Sequence, residues 1–369
     1  MSNPIDVHWF SSEMTGAPTC SGESGKLIAI LDACLINGFG SVTLDSLVVA
    51  SGVATGTLSS GHGFTDHIVA LVEGATPSGL NGEKRITVTS STTFTFDATG
   101  ISDQTATGTI TAKVAPVGWT KTYSGTNKAV YARTAVSATA MLLRVDDSPA
   151  QYPTLIMYET MSDVDTGTGP APTSGSYYTA KSNAASTATR PWRLYADDKA
   201  LYIYIDTGAN GNYNSGFYFG DINSFKSNDT YHCALIAHPT ASVNYAYQAR
   251  LDTTTGSLIA RSYTQTGAAI TFTRYSHYLS GVTVGLAKAG GAYPSAVDNC
   301  FRAWPVDAWE TSTVPRGMMP GLWNPLHTNN PDDATIITDI PQLAGRNLFI
   351  QKAMDGTYRC GMDITGPWR

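Results

Sequence analysis

The sequence predicts a mainly β, multi-domain protein. A small β-barrel or immunoglobulin-like module precedes a larger β-sandwich-like domain, with one short helix near the N-terminus. Three observations carry this. Charged residues make up only 14% of the 369 positions, against ~25% in ordinary soluble domains. Thr, Ser, Gly and Tyr take their place, a composition that suits pleated sheets. Apolar residues alternate in "KRITVTSSTTFTFDA", where Ile86, Val88, Phe94 and Phe96 share one parity, as a half-buried strand requires. Gly-rich turns such as "SSGHG" and "PSGLNGE" separate the strand-like runs.

Length and pattern divide the chain into four segments, since domains usually run to ~100–200 residues. Residues 1–40 hold the one strong helix candidate, "SGESGKLIAILDACLINGFG". Leu27, Ile28, Leu31, Leu35 and Ile36 recur at helical spacing, with Ser24 of N-cap type and Gly38 of C-cap type. Its broad apolar face would pack on a sheet of the main domain. Residues 41–115 read as a small all-β module of five or six strands. Residues 116–304 read as a larger β-rich domain with strands in "AMLLRVDD", "PTLIMYET", "RPWRLYADDKALYIYIDT", "GFYFGDI" and "YHCALIAH". In "KALYIYIDT", Leu201, Ile203 and Ile205 take one face and Tyr202 and Tyr204 the other. Residues 305–369, rich in Pro and Gly, read as a long ordered arm or cap, of a kind that often lies on a neighbouring subunit. The arm ends in a strand and a Trp-Arg tail.

Composition excludes several partners. Net charge is −6, the pI is about 5.6, and there is no run of Lys or Arg. Nucleic acid and anionic membrane surfaces both require clustered positive charge, so neither is an expected partner. The longest apolar stretch, "LIAILDACLI", is shorter than the ~20 residues that span a bilayer. The opening "MSNPIDVHWFSSEMTG" does not read as a secretory signal, so a soluble protein made in a cytosol is expected. The five cysteines, Cys20, Cys34, Cys233, Cys300 and Cys360, form no CxxC. They read as reduced, buried thiols, not zinc ligands.

The search for chemistry returns no catalytic, cofactor-binding or metal-ligating residue. No G-x-S-x-G motif occurs. His62 sits beside Ser60 on a turn, without an indicated carboxylate. Of the seven histidines only His62 and His67 are close, and no HExxH occurs. His232 lies in an apolar strand. A glycosidase needs two flanking carboxylates, but Asp146–Asp147, Asp197–Asp198 and Asp332–Asp333 are adjacent pairs. Neighbours at a strand end point to opposite faces, and all three pairs read as solvated turn residues. "GTGP" and "GANGN" lack the helix or GK[ST] of a phosphate cradle. "DVDTG" at 163–167 opens like a calcium loop. Ser174 stands where an EF-hand loop needs Glu, and Pro170 and Pro172 break that geometry, which leaves a calcium loop of another type as the alternative.

Several stretches together resemble a family of bacteriophage and prophage virion proteins. These are "GHGFTDHIVALVEGATPSGLNGEKRITVTSSTTFTFDATGISDQTATGTITA", "GWTKTYSGTNKAVYAR", "LLRVDDS", "ETMSDVDTGTGP", "RPWRLYADDKALYIYID", "YFGDINSFKSND" and "DITGPWR". The first resembles a small phage β module inserted near the N-terminus. The resemblance covers most of the chain. It implies a non-enzymatic structural component of the virion, in tail or baseplate, made in the host cytoplasm. The implied partners are copies of itself and other virion proteins. The alternatives are a head decoration or connector protein, or a virion domain for host attachment. For the last, Tyr202, Tyr204, Trp192 and the 206–218 loop would meet a cell-surface glycan.

Overall fold

A computed structural model describes residues 7–243, 246–248, 254–275, 292–311, 313–327, 331–353 and 358–369. The chain is mainly β, built from antiparallel sheets with, among the described residues, a single short α-helix. Among the described residues no helix is long and apolar enough to cross a membrane.

The scaffold is a seven-stranded sheet, in the spatial order His8–Ser11, Trp192–Ala196, Ala200–Ile205, Ser215–Asp221, Cys233–Ile236, Ser257–Ile259, Ile270–Thr271. Its central strands are buried at every position, so both faces are covered. One face carries Phe10, Leu194, Leu201, Ile203, Phe217 and Phe219, in register across the strands. Phe39 meets Phe10 at 6.1 Å between ring centroids, and Trp119 meets Phe219 edge-on at 6.0 Å.

The other face carries Tyr195, Tyr202, Tyr204 and Tyr218, and a second large sheet lies against it. That sheet runs Thr273–Tyr275, Ala303–Thr311, Val314–Pro325, Tyr358–Asp363, Leu348–Ala353, Ile336–Ile337. Tyr202 donates to the Pro320 carbonyl at 3.0 Å, Tyr195 to Gln351 Oε1 at 2.8 Å, and Tyr195 packs on Phe349 at 5.7 Å. Two readings are corrected here. The Pro/Gly-rich stretch, expected as an arm or cap of irregular chain lying on a neighbouring subunit, is largely strand, and it caps the tyrosine face of its own chain. Met319, Leu322, Met362 and Trp368 are buried in that contact. Prolines and glycines are tolerated because the long strand is bulged, with register shifts between Pro305 and Thr311 in its partner. Residues 312, 328–330 and 354–357 of the expected arm, like residues 1–6, lie outside the described residues.

Residues 39–114 pair among themselves as two small sheets. The first runs Phe39–Thr43, Thr111–Val114, Val69–Glu73, Gly82–Arg85; the second Thr87–Val88, Thr93–Asp97, Val53–Thr57, Ser46–Ala50, Gln104–Thr105. At Ile86 the chain leaves one sheet and enters the other, making a corner of the sandwich. Phe94 and Phe96 point inward, as the alternation requires. Arg85 ties this unit to the rest, donating to the carbonyls of Val7 at 2.8 Å and Ile364 at 2.8 Å. A five-stranded sheet, from Thr120–Gly125 to Tyr177–Tyr178, completes the fold.

The helix occupies Lys26–Asp32 and continues as a π-turn over Ala33–Asn37, ending at Gly38. Leu27, Leu31 and Leu35 of its expected apolar face are buried, joined by Ile30 and Cys34, while Ile28 and Ile36 are only half-buried. Ser24 does not cap it: its hydroxyl donates to the Ser148 carbonyl at 2.6 Å. The cap comes from a distant loop, where Asp147 Oδ2 accepts from the Leu27 N–H at 2.7 Å and the Ile28 N–H at 3.2 Å.

Candidate functional site

"DVDTG" forms the turn of a two-stranded hairpin between Thr160–Met161 and Gly167–Thr168. Asp163 Oδ1 accepts from the backbone N–H groups of Asp165 and Thr166, each at 2.8 Å, which is turn chemistry. Asp165 faces Lys128 Nζ at 2.8 Å and Arg144 Nη2 at 2.6 Å. Those hydrogen bonds hold its carboxyl below the usual carboxylate range. Two side-chain cations thus stand where a divalent ion would have to approach. No group of three or more His, Cys, Asp or Glu is arranged to hold a metal among the described residues.

The three carboxylate pairs are not simply solvated turn residues, as the sequence suggested. In each pair one aspartate is drawn inward to a cation far along the chain. Asp147 is fully buried against Lys181. Asp197 is buried, accepts from the N–H groups of Lys199 at 2.9 Å and Ala200 at 2.7 Å, and pairs with Arg369. Asp333 pairs with Arg193 at 2.8 Å and accepts from the Lys352 N–H at 2.7 Å. The two-face rule held; what it could not supply was the counter-ion beneath one face. Two further buried assemblies had no signature in the sequence. Arg133 pairs with Asp221 at 2.6 Å, with both side chains fully buried. Arg316 grips both oxygens of Asp229, at 2.8 Å each, and also meets Glu310.

The histidines are likewise structural. His62 is buried, accepts the Phe64 N–H on Nδ1 at 3.0 Å and lies 3.0 Å from the Ser90 carbonyl through Nε2. Its ring stacks on Phe64 and meets Phe94 edge-on, while Ser60 is exposed. His67 pairs with the neighbouring Asp66 at 3.4 Å. His232 contacts the Asp229 carbonyl and lies 3.6 Å from Asp221. No protein-family model matches the chain, and no curated protein matches its sequence.

The aromatic part of the expected glycan surface is absent from the outside, while residues 209–211 of the expected 206–218 loop are exposed. Trp192, Tyr202 and Tyr204 are each 0% exposed, and Tyr204 is covered by Cys360 and Met362. An amphipathic sheet face was legible in the sequence, but its cover was not. Exposed aromatics lie elsewhere, among them Phe225 and Tyr263, 56% and 49% exposed. Their loops are tied together by Gln265, which accepts from Thr230 at 2.9 Å and donates to the Asn228 carbonyl at 3.1 Å.

All five cysteines are free and buried. Burial pushes the thiols of Cys20, Cys233 and Cys360 up to about 12, and that of Cys34 well above its usual value. Since the thiolate is the reactive form, a native titration with a disulfide reagent at pH 8 should leave these four unreacted. Cys300, the most accessible at 9%, should react first, and all five should react in guanidinium. Fast native reaction at Cys34 would contradict this packing.

Proposed function

We propose that the protein is a structural component of a bacteriophage virion, in the tail or baseplate, assembling through contacts between copies of the chain. The observation that carries this reading is the outer face of the five-stranded sheet within residues 46–105. Val48 and Val53 are exposed there, at 38% and 45%, among Thr55, Thr57, Thr93 and Thr95. Asp97 is the one charged residue in its strands. Symmetric association brings a patch close to its own copy, so charge on that patch would repel itself. In a chain of net charge −6, a β-branched face with a single strand charge, Asp97 opposite Val53 at its margin, is the surface suited to meet itself, and charge depletion marks interface cores. The resemblance of most of the sequence to virion proteins supports the same reading. So does the use of the chain's few charges in internal pairs.

The test is to place charge on this face. Val48→Lys with Val53→Lys, both exposed and not directly paired, should leave stability within ~0.5 kcal/mol, as exposed substitutions do. It should shift the mass by light scattering from oligomer to monomer. An unchanged oligomer, or a wild-type chain that stays monomeric at every concentration, counts against the proposal.

A host-attachment role is the second reading, favoured by the exposed Phe225 and Tyr263. It moves the contact surface from the buried tyrosine face to the 225–231 and 261–267 loops. Binding of the whole protein to host cells should fall in a Phe225→Ala, Tyr263→Ala variant. Equal binding by the variant would remove this reading.

A further inference from the structure

We propose that Lys181 and Asp147 form an intramolecular amide crosslink between Lys181 Nζ and Asp147 Cγ. Both side chains are 0% exposed and in direct contact, with Nζ lying against Asp147 Oδ1. Nζ also meets the Glu23 carbonyl, so the amine is held in place from two sides. The other carboxylate oxygen, Oδ2, accepts from the backbone N–H groups of Leu27 at 2.7 Å and Ile28 at 3.2 Å. One oxygen thus faces the nucleophile while the other sits in a pair of fixed donors.

That division of labour is what an acyl transfer needs. Transfer of one proton from the ammonium to Oδ1 leaves a neutral amine and a neutral acid, the form favoured where water is excluded. Burial pushes the Asp147 carboxyl up from its ordinary value, against the pull of Lys181, which favours the same form. Nζ then attacks Cγ, the Nζ–Cγ bond forms, and negative charge collects on Oδ2. The Leu27 and Ile28 N–H groups stabilise that charge in the manner of an oxyanion hole. A second proton passes from nitrogen to Oδ1, the Cγ–Oδ1 bond breaks, and water leaves. Ammonium plus carboxylate becomes amide plus water, so atoms and charge balance without any oxidant or co-reactant. The link would fasten the 181–183 strip, the 147 loop and the helix start into one covalent unit. The inference does not depend on the virion reading.

Peptide mass spectrometry on the denatured wild-type protein decides it. Trypsin cuts after Arg144, and Lys181 is the next basic residue. Without the crosslink, residues 145–181 appear as a free peptide of full mass. With it, trypsin cannot cut at the acylated Lys181. The peptide then runs on past Arg190, which precedes Pro191, to Arg193, and it is one water lighter than its sequence. Asp147→Ala should restore cleavage at Lys181 and full mass, a readout that needs no folded variant. Full mass with cleavage at Lys181 in the wild type overturns the proposal. Loss of water with Lys181 still cleaved also overturns it, since the loss then lies elsewhere.

Discussion

Arg133→Met is expected to lower the free energy of unfolding by about 3–5 kcal/mol, the usual cost of breaking a fully buried ion pair from one side. Arg133 donates to Asp221 Oδ1 at 2.6 Å, to Thr139 Oγ1 at 2.8 Å, and to the carbonyls of Thr139 at 2.7 Å and Met141 at 3.1 Å. Its guanidinium also lies 5.0 Å from the Phe219 ring centroid. Removing it strands a carboxylate in the interior and leaves two carbonyls without their donor. Replacing both partners, Arg133→Met with Asp221→Leu, should cost less than the sum of the two single changes. Urea denaturation of the four proteins checks this, and strict additivity would show that the pair is not coupled.

The same pair sets an acid limit. Burial pushes the Asp221 carboxyl up, but Arg133, His232 and the Thr139 hydrogen bonds outweigh it and hold it below its ordinary value of 3.8. A carboxyl depressed in the folded state adds stability above the unfolded value and loses it as pH falls through the folded one. The wild type should therefore lose stability as pH falls below about 4, the ordinary Asp range. Arg133→Met, already without this contribution, should fall less steeply over the same interval.

Trp368→Ala is the second large effect, at about 3–5 kcal/mol for a buried tryptophan. The ring is 5% exposed, packs edge-on against Tyr202 at 5.9 Å, and its Nε1–H donates to the Asp363 carbonyl at 2.8 Å. It lies directly over Gly321, whose φ of +65° already suits glycine and where a Cβ would come within 2.2 Å of the ring. Gly321→Ala should therefore cost about 3 kcal/mol from overpacking and left-handed strain together. In the double variant the overpacking component disappears, so its cost should fall short of the sum of the single changes. Equal costs would mean that the ring does not rest on Gly321.

The sequence carried the fold further than it carried the sites. Alternation at Ile86, Val88, Phe94 and Phe96 is a local property, and so is the helical spacing of Leu27, Leu31 and Leu35; both persist in the structure. The tyrosine face at Tyr202 and Tyr204 was also visible, but nothing local could say that residues 303–363 would cover it. Proline and glycine in that stretch argued for irregular chain, and bulged pairing overrode them. Ion pairs were the least legible feature. Asp197 finds Arg369 and Asp333 finds Arg193 across 172 and 140 residues, separations at which spacing carries no information. The cap of the helix failed for the same reason: Ser24 has the right chemistry, yet Asp147 lies 120 residues from the Leu27 N–H it accepts.

The most direct test of the structural reading is quantitative mass spectrometry of phage particles purified on a density gradient from a host that produces the protein. The expected result is the chain present in every intact particle at a fixed copy number, co-sedimenting with tails or baseplates after the heads are removed. A chain found only in the soluble lysate, and absent from washed particles, would contradict a role in the virion.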